Sequence, residues 1–446
     1  MNQLILILIV HNEEEAVKLA IESIRKFSDV EDLSVIVVDN FSSDGLGEWA
    51  KGQTDFTYVL MNEQEMPVGA ALNEVIEGLR LQGDLLIMEG HCLITPGCLV
   101  RMRDVLYADE KTGAVGGLAN SFLNYQRLEN FDNYEEAVLS ALSAEGISSK
   151  EVLGLCSDAV LFKKELLEEV GRFDESLKNQ RYVMKDYCFR AVEKGWKLKV
   201  CNSAYMWNAY GAEYEIPRNA EDNGILRKKW GTHYFNSLYN ENLIAMFVNS
   251  NEDAIKVLEI GCDCGATLLE IKNRYPHARV YGYEINKKAA GIASHIAEVK
   301  VGNIEDGALD YPKEMFDYII FGDVLEHLKK PLDVIRYCRQ FLKKKGYILA
   351  NIPNLMHISV MAELLKGNFT YTETGLLDNT HIHLFTYNEI VKMFQEGQYK
   401  IESVKMTNMP MNEEEKELID KLLSLQKESD RFMYEAFQFQ VRAQKQ

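Results

Sequence analysis

Positive charge and long apolar segments are scarce in this sequence, and each shortage excludes a class of protein. Lys and Arg total 49 against 68 Asp and Glu, for a formal net charge of −19. A nucleic-acid-binding surface needs a basic face, so this charge argues against a nucleic-acid partner. The apolar run Leu4–Val10 has no basic leader and falls far short of the roughly 20 residues that a spanning helix needs. We therefore expect no membrane insertion and a cytoplasmic protein that handles small ligands.

Paired cysteines are also missing. The sequence has 8 cysteines but no Cys-x-x-Cys pair, which disfavours both a disulfide framework and a closed zinc site. The composition is that of a globular protein, because 47% of the 446 residues are hydrophobic and 26% are charged. A chain of this length exceeds one ordinary core, so we expect two domains.

The clearest chemical motif runs from Val257 to Gly265, with the sequence Val-Leu-Glu-Ile-Gly-Cys-Asp-Cys-Gly. A buried-strand pattern leads directly into two glycines, and a helical pattern over 267–274 follows. This strand–turn–helix geometry lets backbone N–H groups approach a nucleotide-type cofactor. About twenty residues further on, a second strand pattern ends at Glu284, where a carboxylate is placed to bind a ribose diol.

From about residue 254 to the end, the chain resembles the class I S-adenosylmethionine-dependent methyltransferases. Three further segments continue the match: Gly302–Asp306, Phe316–His327 and Thr380–Thr386. The resemblance implies a Rossmann-like, doubly wound parallel sheet that closes with an antiparallel strand, and S-adenosylmethionine as the cofactor. Strand patterns at 256–261, 279–284, 298–302, 317–323 and 346–352 agree with that fold.

The same resemblance implies a set of cofactor-binding residues. They are Glu259, Gly261, Asp263 and Gly265 around the methionine moiety, Glu284 at the ribose, Asn303, Ile304 and Glu305 at the adenine, and Asp323 near the transferable methyl group.

Three histidines are candidate bases for the methyl acceptor, namely His327, His381 and His383. Methyl transfer is an in-line displacement at a sulfonium, so the enzyme mainly aligns a nucleophile and sometimes removes its proton. A lone histidine is more often structural, and an acceptor that is already neutral needs no base. His381 and His383 also resemble half of a metal site, but the sequence indicates no third ligand.

Alternating strand and helix patterns in the N-terminal half predict a parallel α/β sheet. The strand patterns are Leu4–Val10, Leu33–Asp39, Thr57–Met61 and Gly83–Glu89. In such a sheet the ligand lies beyond the carboxyl ends of the strands. Asn12, Asp39 and the triplet Glu89-Gly90-His91 fall at these ends.

Residues 1 to about 235 resemble the family 2 glycosyltransferases of GT-A fold. The matching segments are Val10–Glu14, Val37–Gly45, Gly69–Asn73, Gly83–His91, Val160–Glu175 and Asp186–Arg190. The resemblance implies a nucleotide-sugar donor, and a divalent metal, Mn²⁺ or Mg²⁺, held against its diphosphate by Glu89 and His91. It also implies donor contacts from Asn12, Asp39, Asn73, Glu89 and His91, and an acid that deprotonates the acceptor, for which Asp186 is the best candidate.

The sequence departs from this family where the chemistry is decided. The family triplet is Asp-x-Asp, whereas this chain has Glu89-Gly90-His91, although carboxylate and imidazole both ligate Mn²⁺. Val183 and Met184 occupy the first two acidic positions of the family's Glu-Asp-x-Asp pattern. Each candidate also has a structural alternative: Asp39 as a turn cap, Glu89 and His91 as loop residues, and Asp186 as an acid at a helix N-terminus.

We place the domain boundary near residue 235, before a helical pattern at 234–248, which gives domains at 1–235 and 236–446. The combination predicts a bifunctional enzyme that transfers a sugar to a glycan or glycosylated acceptor and methylates the glycan or a group attached to it. Two alternatives stay open. One is a methyltransferase whose first domain only binds the glycan, and the other is a non-catalytic scaffold.

Overall fold

A computed structural model describes residues 2–120, 126, 131–211, 219–231, 238–425 and 427–446. The chain divides into two compact units, Met1–Leu238 and Tyr239–Gln446. Each unit is built around its own sheet, which confirms the prediction of a two-domain α/β protein. Within the described ranges, no helix has the length and apolar character needed to cross a membrane.

The N-terminal unit has nine strands and eight α-helices in its described residues. The strands are β1 Leu4–Val10, β2 Leu33–Asp39, β3 Tyr58–Met61, β4 Asp84–Glu89, β5 Cys92–Ile94, β6 Thr112–Leu118, β7 Ser149–Val152, β8 Ala159–Phe162 and β9 Lys197–Asn208. The helices are α1 Glu14–Phe27, α2 Leu46–Lys51, α3 Val68–Gly78, α4 Cys98–Tyr107, α5 Tyr134–Ser143, α6 Lys164–Val170, α7 Gln180–Glu193 and α8 Ala220–Trp230.

The N-terminal sheet is parallel on one side and mixed on the other. Its strand order is β3-β2-β1-β4-β8-β6-β9-β5, with β7 paired to β9. The pairs among β1 to β4 are parallel as the sequence predicts, but β8 runs antiparallel to β4. Strand β1 is buried at every position because helices cover both faces of the sheet, and the apolar side of α1 packs in the same core.

The C-terminal unit has seven strands and eight α-helices in its described residues. The strands are β10 Lys256–Ile260, β11 Arg279–Glu284, β12 Glu298–Val301, β13 Phe316–Gly322, β14 Leu342–Pro353, β15 Tyr399–Asn408 and β16 Ala436–Lys445. The helices are α9 Glu241–Ile244, α10 Ala266–Arg274, α11 Lys287–Ala293, α12 Pro331–Cys338, α13 Ile358–Leu365, α14 Tyr387–Glu396, α15 Glu413–Leu423 and α16 Phe432–Glu435. The helix predicted at 234–248 is therefore only one turn long in the described residues, and 234–237 lie outside them.

The C-terminal sheet is doubly wound and reverses its order at β10. The strand order is β12-β11-β10-β13-β14-β16-β15, with β16 antiparallel to both of its neighbours and the other pairs parallel. This confirms the predicted class I methyltransferase fold and its antiparallel closing strand. The chain runs from β10 outward to β11 and β12 on one side and then returns to place β13 and β14 on the other side of β10. At such a reversal a crevice opens beyond the carboxyl ends of the strands.

Candidate active sites

The turn after β10 is closed by two glycines in the left-handed region. Gly261 has φ 71° and Gly265, which precedes α10, has φ 86°. A Cβ on Gly261 would lie 2.6 Å from Cγ2 of Val324, and one on Gly265 would lie 3.1 Å from Cβ of Ala293. Larger residues would be strained at both positions, so the turn needs glycine to bring the N–H groups of α10 to the crevice.

Glu284, at the end of β11, is tied to this turn. Its Oε2 accepts a hydrogen bond from the backbone N–H of Asp263 at 2.9 Å, and its Oε1 accepts one from Asn286 at 2.7 Å. The carboxylate is 7% exposed, and each oxygen can accept a second hydrogen bond. Glu284 thus lies beside the glycine turn with acceptor capacity left on its oxygens, and its contact with a ribose diol stays a prediction.

Glu259 lies buried near the end of β10, and one of its carboxylate oxygens lacks a hydrogen-bond partner among the described residues. Its Oε2 has no hydrogen-bond partner among the described residues. Burial raises the pKa of this carboxyl to about 8, and the nearby charges of Asp263 and Glu284 act in the same direction. A buried carboxylate without a partner is costly, and a cationic group restores the balance. The ammonium of a bound S-adenosylmethionine fits this requirement.

The segment predicted to contact adenine is joined to the same edge of the sheet. The backbone N–H of Gly302 donates to the carbonyl of Glu284 at 2.9 Å. The side chain of Asn303 caps a short 3-10 helix by accepting from the N–H of Glu305 at 3.0 Å. The carboxylate of Glu305 accepts from the N–H of Lys330 at 3.0 Å, and Ile304 is buried. These contacts shape the segment, and its adenine contacts stay a prediction.

Asp323 follows β13 on the other side of the crevice. It has φ 56°, and its Oδ1 accepts from Nδ2 of Asn351 at 2.8 Å and Nε2 of Gln438 at 2.7 Å. The side chain is reachable by solvent while protein surrounds it on most sides, as expected for a residue that lines a cleft.

The three candidate histidines do not form one group. The rings of His327 and His381 lie 4.9 Å apart between centroids. Nε2 of His383 instead lies 3.1 Å from the carbonyl oxygen of Lys329. The i, i+2 pair predicted to form half of a metal site is therefore split, and His381 is partnered by His327.

Sequence reasoning missed Glu326, which adjoins His327 in a short 3-10 helix, Leu325–His327. The ligand atoms of Glu326, His327 and His381 all lie within 4.8 Å of one another. The carbonyl oxygen of Glu326 accepts from the N–H groups of Ile382 and His383 at 2.8 and 3.0 Å, which brings the distant histidine segment here. The sequence could have indicated Glu326 only through its position directly before His327, a candidate base.

In the N-terminal unit, Asn12 and Asp39 organise the loop after β2. Oδ1 of Asn12 accepts from the N–H of Ser43 at 2.7 Å, and Oδ1 of Asp39 accepts from the N–H of Ser42 at 2.9 Å. Asp39 is 1% exposed, and a Cβ on Gly47 would lie 2.2 Å from its Oδ2. Asp39 therefore has the turn-capping role that the sequence allowed, and its contact with a nucleotide stays a prediction.

Asn73 is also engaged within the protein. Its Oδ1 accepts from the N–H of Phe173, and its Nδ2 donates to the carbonyl of the same residue, each at 2.9 Å. Nδ2 donates in addition to Oε1 of Glu175 at 3.0 Å. The amide thus joins α3 to the segment before α7, and its donor contact stays a prediction.

Glu89 and His91 lie together at the end of β4. Nε2 of His91 is 3.0 Å from Oε2 of Glu89, and its Nδ1 is 3.3 Å from Oε2 of Glu13. Burial alone would lower the pKa of His91, but the two carboxylates outweigh it and raise the pKa to about 10. Oε1 of Glu89 is buried without a hydrogen-bond partner among the described residues. Asp158, which sequence reasoning missed, completes a buried group whose ligand atoms lie within 4.8 Å of one another.

Asp186, which the sequence nominates as the acceptor base, has partners on both of its carboxylate oxygens, and its role as a base stays a prediction. It is fully buried in α7. Its Oδ2 accepts from Nε of Arg190 at 2.9 Å, and its Oδ1 accepts from Nε1 of Trp230 at 2.9 Å with Nζ of Lys229 at 2.8 Å. Two cations and an indole N–H contact the two oxygens of this buried carboxylate, which disfavours direct contact with an acceptor hydroxyl.

Comparisons with known proteins agree with the two units. The family described as Glycosyl transferase family 2 matches residues 5–171, and the family described as Methyltransferase domain matches residues 232–404. No curated protein matches the chain.

Several solved structures are similar to part of this chain. A SAM-dependent methyltransferase from Methanosarcina mazei is 18% identical with a TM-score of 0.34, covering 47% of this chain and 99% of its own. A SAM-dependent methyltransferase from Archaeoglobus fulgidus is 16% identical with a TM-score of 0.33, covering 50% and 99%. The YcgJ protein from Bacillus subtilis is 19% identical with a TM-score of 0.30, covering 45% and 94%.

Proposed function

We propose that this chain, which joins a family 2 glycosyltransferase domain to a methyltransferase domain, transfers a sugar from a nucleotide donor and methylates a glycan or a group attached to it. The observation that carries the methyl-transfer half is the buried carboxylate of Glu259 beside the glycine turn, whose Oε2 has no hydrogen-bond partner among the described residues. A buried anion in that position matches the cationic end of S-adenosylmethionine.

In methyl transfer, bound S-adenosylmethionine supplies an electrophilic methyl group on its sulfonium. Glu259 would hold the ammonium of the cofactor and Glu284 its ribose, on either side of the glycine turn, and Asp323 would border the space for the acceptor. For a hydroxyl acceptor, a proton must also leave. Nδ1 of His327 and of His381 each face a backbone carbonyl, so Nε2 is the nitrogen of either ring that can accept that proton.

In sugar transfer, Glu89, His91 and Asp158 would hold a divalent metal against the donor diphosphate. Their fit rests on the unpartnered Oε1 of Glu89 and on the mixed carboxylate and imidazole set, which suits Mn²⁺. The metal would neutralise the diphosphate as it leaves. Asp39 and Asn12 would shape the loop that receives the nucleotide.

A second candidate function is methylation alone, with the first unit binding the glycan. The burial of Asp186 between Arg190 and Lys229 favours it. Val183 and Met184, which stand where the family has acids, are also buried. The three positions of α7 that align with the family's acidic pattern therefore offer no accessible acid for acceptor activation.

Calorimetric titration of the full chain tests both halves. The proposed methyl transfer predicts that the chain binds S-adenosylmethionine. It also predicts that Glu284→Gln weakens this binding about tenfold or more, because the substitution removes charge-assisted hydrogen bonds. Glu298→Gln, an exposed acid on the neighbouring strand, is the matched control. A chain that does not bind S-adenosylmethionine would contradict the proposal and favour the scaffold.

A panel of UDP-, GDP- and dTDP-sugars with and without Mn²⁺ tests the donor site. Mn²⁺-dependent binding that both Glu89→Ala and His91→Ala abolish supports sugar transfer. Glu15→Ala changes an exposed acid of α1 and should leave donor binding intact. Absence of donor binding in a chain that still binds S-adenosylmethionine selects methylation alone.

A further inference from the structure

A second group of metal-ligating side chains lies at the carboxyl edge of the C-terminal sheet. It consists of Glu326, His327 and His381, whose ligand atoms lie within 4.8 Å of one another. We call these three residues the Glu-His-His cluster. The glycine turn after β10 does not include them, and the cofactor chemistry described above does not use Glu326.

Glu326 is a buried acid whose carboxylate oxygens have no hydrogen-bond partner among the described residues. It is 0% exposed, and neither of its carboxylate oxygens has a hydrogen-bond partner. Its nearest acidic neighbours, Asp323 and Asp378, act on it with charge of the same sign. Such a group either keeps a proton or faces a cation, because an uncompensated buried charge is too costly.

The two histidines are oriented in the way that metal-binding histidines are. Nδ1 of His327 lies 3.1 Å from the carbonyl oxygen of Thr380, and Nδ1 of His381 lies 3.1 Å from that of Leu376. A carbonyl can only accept, so each Nδ1 carries the proton and each Nε2 keeps its lone pair. A backbone acceptor that fixes the tautomer in this manner is the usual outer partner of a metal-bound histidine.

The cluster is also held in place before any ligand binds. The carbonyl oxygen of Glu326 accepts two backbone N–H groups from the segment that carries His381. Oδ1 of Asp378 accepts from the N–H and the hydroxyl of Thr380 at 2.7 and 2.6 Å, next to the ring of His327. Ordering these side chains therefore costs little further entropy when an ion binds.

We propose that the Glu-His-His cluster binds a divalent transition-metal ion of the Zn²⁺ or Co²⁺ class. Two imidazole nitrogens and one carboxylate are a donor set that such ions favour, and three protein ligands leave a coordination position open. The ion would occupy both Nε2 lone pairs, so His327 and His381 would no longer act as bases. They would instead hold an oxygen ligand beside Asp323 through the ion. Metal binding itself does not depend on the proposed transfer reactions.

Cobalt titration of the full chain tests this site, because Co²⁺ reports its coordination by visible absorption. The titration uses tag-free, chelator-treated protein that carries Glu89→Ala and His91→Ala, so that the N-terminal cluster cannot contribute. The expected result is one Co²⁺ per chain, displaced by Zn²⁺. Glu326→Gln and His381→Ala should each weaken binding about 100-fold or more, since even outer partners of a metal are worth 10–100-fold.

His383→Ala is the matched control. It removes a neighbouring imidazole whose Nε2 faces Lys329 and lies outside the cluster, so Co²⁺ affinity should stay within about twofold, the ordinary context variation of a peripheral change. S-adenosylmethionine binding and thermal unfolding of every variant verify folding, and His381→Ala serves if Glu326→Gln does not fold. The proposal is overturned if Co²⁺ does not bind stoichiometrically, or if affinity is the same with and without Glu326 and His381. Glu326 would then be a neutral buried acid.

Discussion

Asp186 in the N-terminal unit and Glu259 in the C-terminal unit are both buried acids at predicted active sites, yet their surroundings differ. Asp186 has two cations and an indole N–H on its oxygens. Among the described residues, Oε2 of Glu259 has no hydrogen-bond partner, and two acids lie nearby. A buried carboxylate whose partners come from the protein stabilises the fold, whereas one without partners depends on a ligand. By this criterion the candidate site of the C-terminal unit depends more on a bound ligand than that of the N-terminal unit does.

Removal of the Asp186 carboxylate should have the largest effect on stability. Asp186→Ala removes the buried carboxylate that accepts from Arg190 and from the indole of Trp230, while Lys229 keeps its ion pair with Asp174. Unfolding of the N-terminal unit should therefore become easier by about 3 kcal/mol. Chemical denaturation of the full chain measures this. Asp109→Ala removes a more exposed ion pair with Lys197 and should cost under about 1 kcal/mol. Unchanged stability together with lost sugar transfer would return Asp186 to a catalytic role.

Neutralising Glu259 should weaken ligand binding and leave stability intact, whereas removal of the Asp186 carboxylate should lower stability. Glu259→Gln should weaken S-adenosylmethionine binding by about 2 kcal/mol, or roughly 30-fold, because a charge-assisted contact is lost. The ligand-free chain should be at least as stable as before at neutral pH, since an amide avoids the free-energy cost of keeping this buried acid protonated above its unfolded pKa. Calorimetry and thermal unfolding separate the two effects, with Glu298→Gln as control. A large loss of stability in the ligand-free variant would mean that Glu259 is structural, like Asp186.

The raised pKa of Glu259 predicts a pH dependence of cofactor binding. With a pKa of about 8 in the folded chain against 4.5 in the unfolded chain, the folded state retains a proton between these values. Stability of the ligand-free unit should therefore fall as pH rises from about 4.5 to about 8. Binding of a cation needs the ionised form, so affinity should rise by up to about tenfold between pH 6 and pH 7. A flat profile in the wild type, matching that of Glu259→Gln, would contradict this.

The smallest stability effect is expected at Asp39. Asp39→Asn keeps an oxygen for the N–H of Ser42, so stability should change by less than about 1 kcal/mol. The same change removes a charged acceptor that a nucleotide base could use. Donor titration with the folded variant therefore distinguishes a turn cap from a nucleotide contact: unaltered donor affinity would leave Asp39 with the capping role alone.

The local sequence pattern was sufficient to predict those features that depend on residues close together in the chain. The glycine turn, Glu284 and the strands of the C-terminal sheet follow from spacing, because strand, turn and helix are contiguous and the carboxyl ends of parallel strands share an edge. Spacing failed at Asp186. Its position in a helix gave no indication that Trp230 and Lys229, from another helix, would cover it.

The sequence by itself determined two α/β units, their order, and the strand ends at which ligands can bind, because these depend on periodicity and on glycine and acid placement. Only the tertiary structure decided which acids have partners. Asp158 joined Glu89 and His91 through the pairing of β4 with β8. Glu326 and His381 met because the carbonyl of Glu326 accepts hydrogen bonds from a segment more than fifty residues away along the chain. The electrostatics of a buried group depend on everything packed against it, and packing joins residues that no local pattern relates.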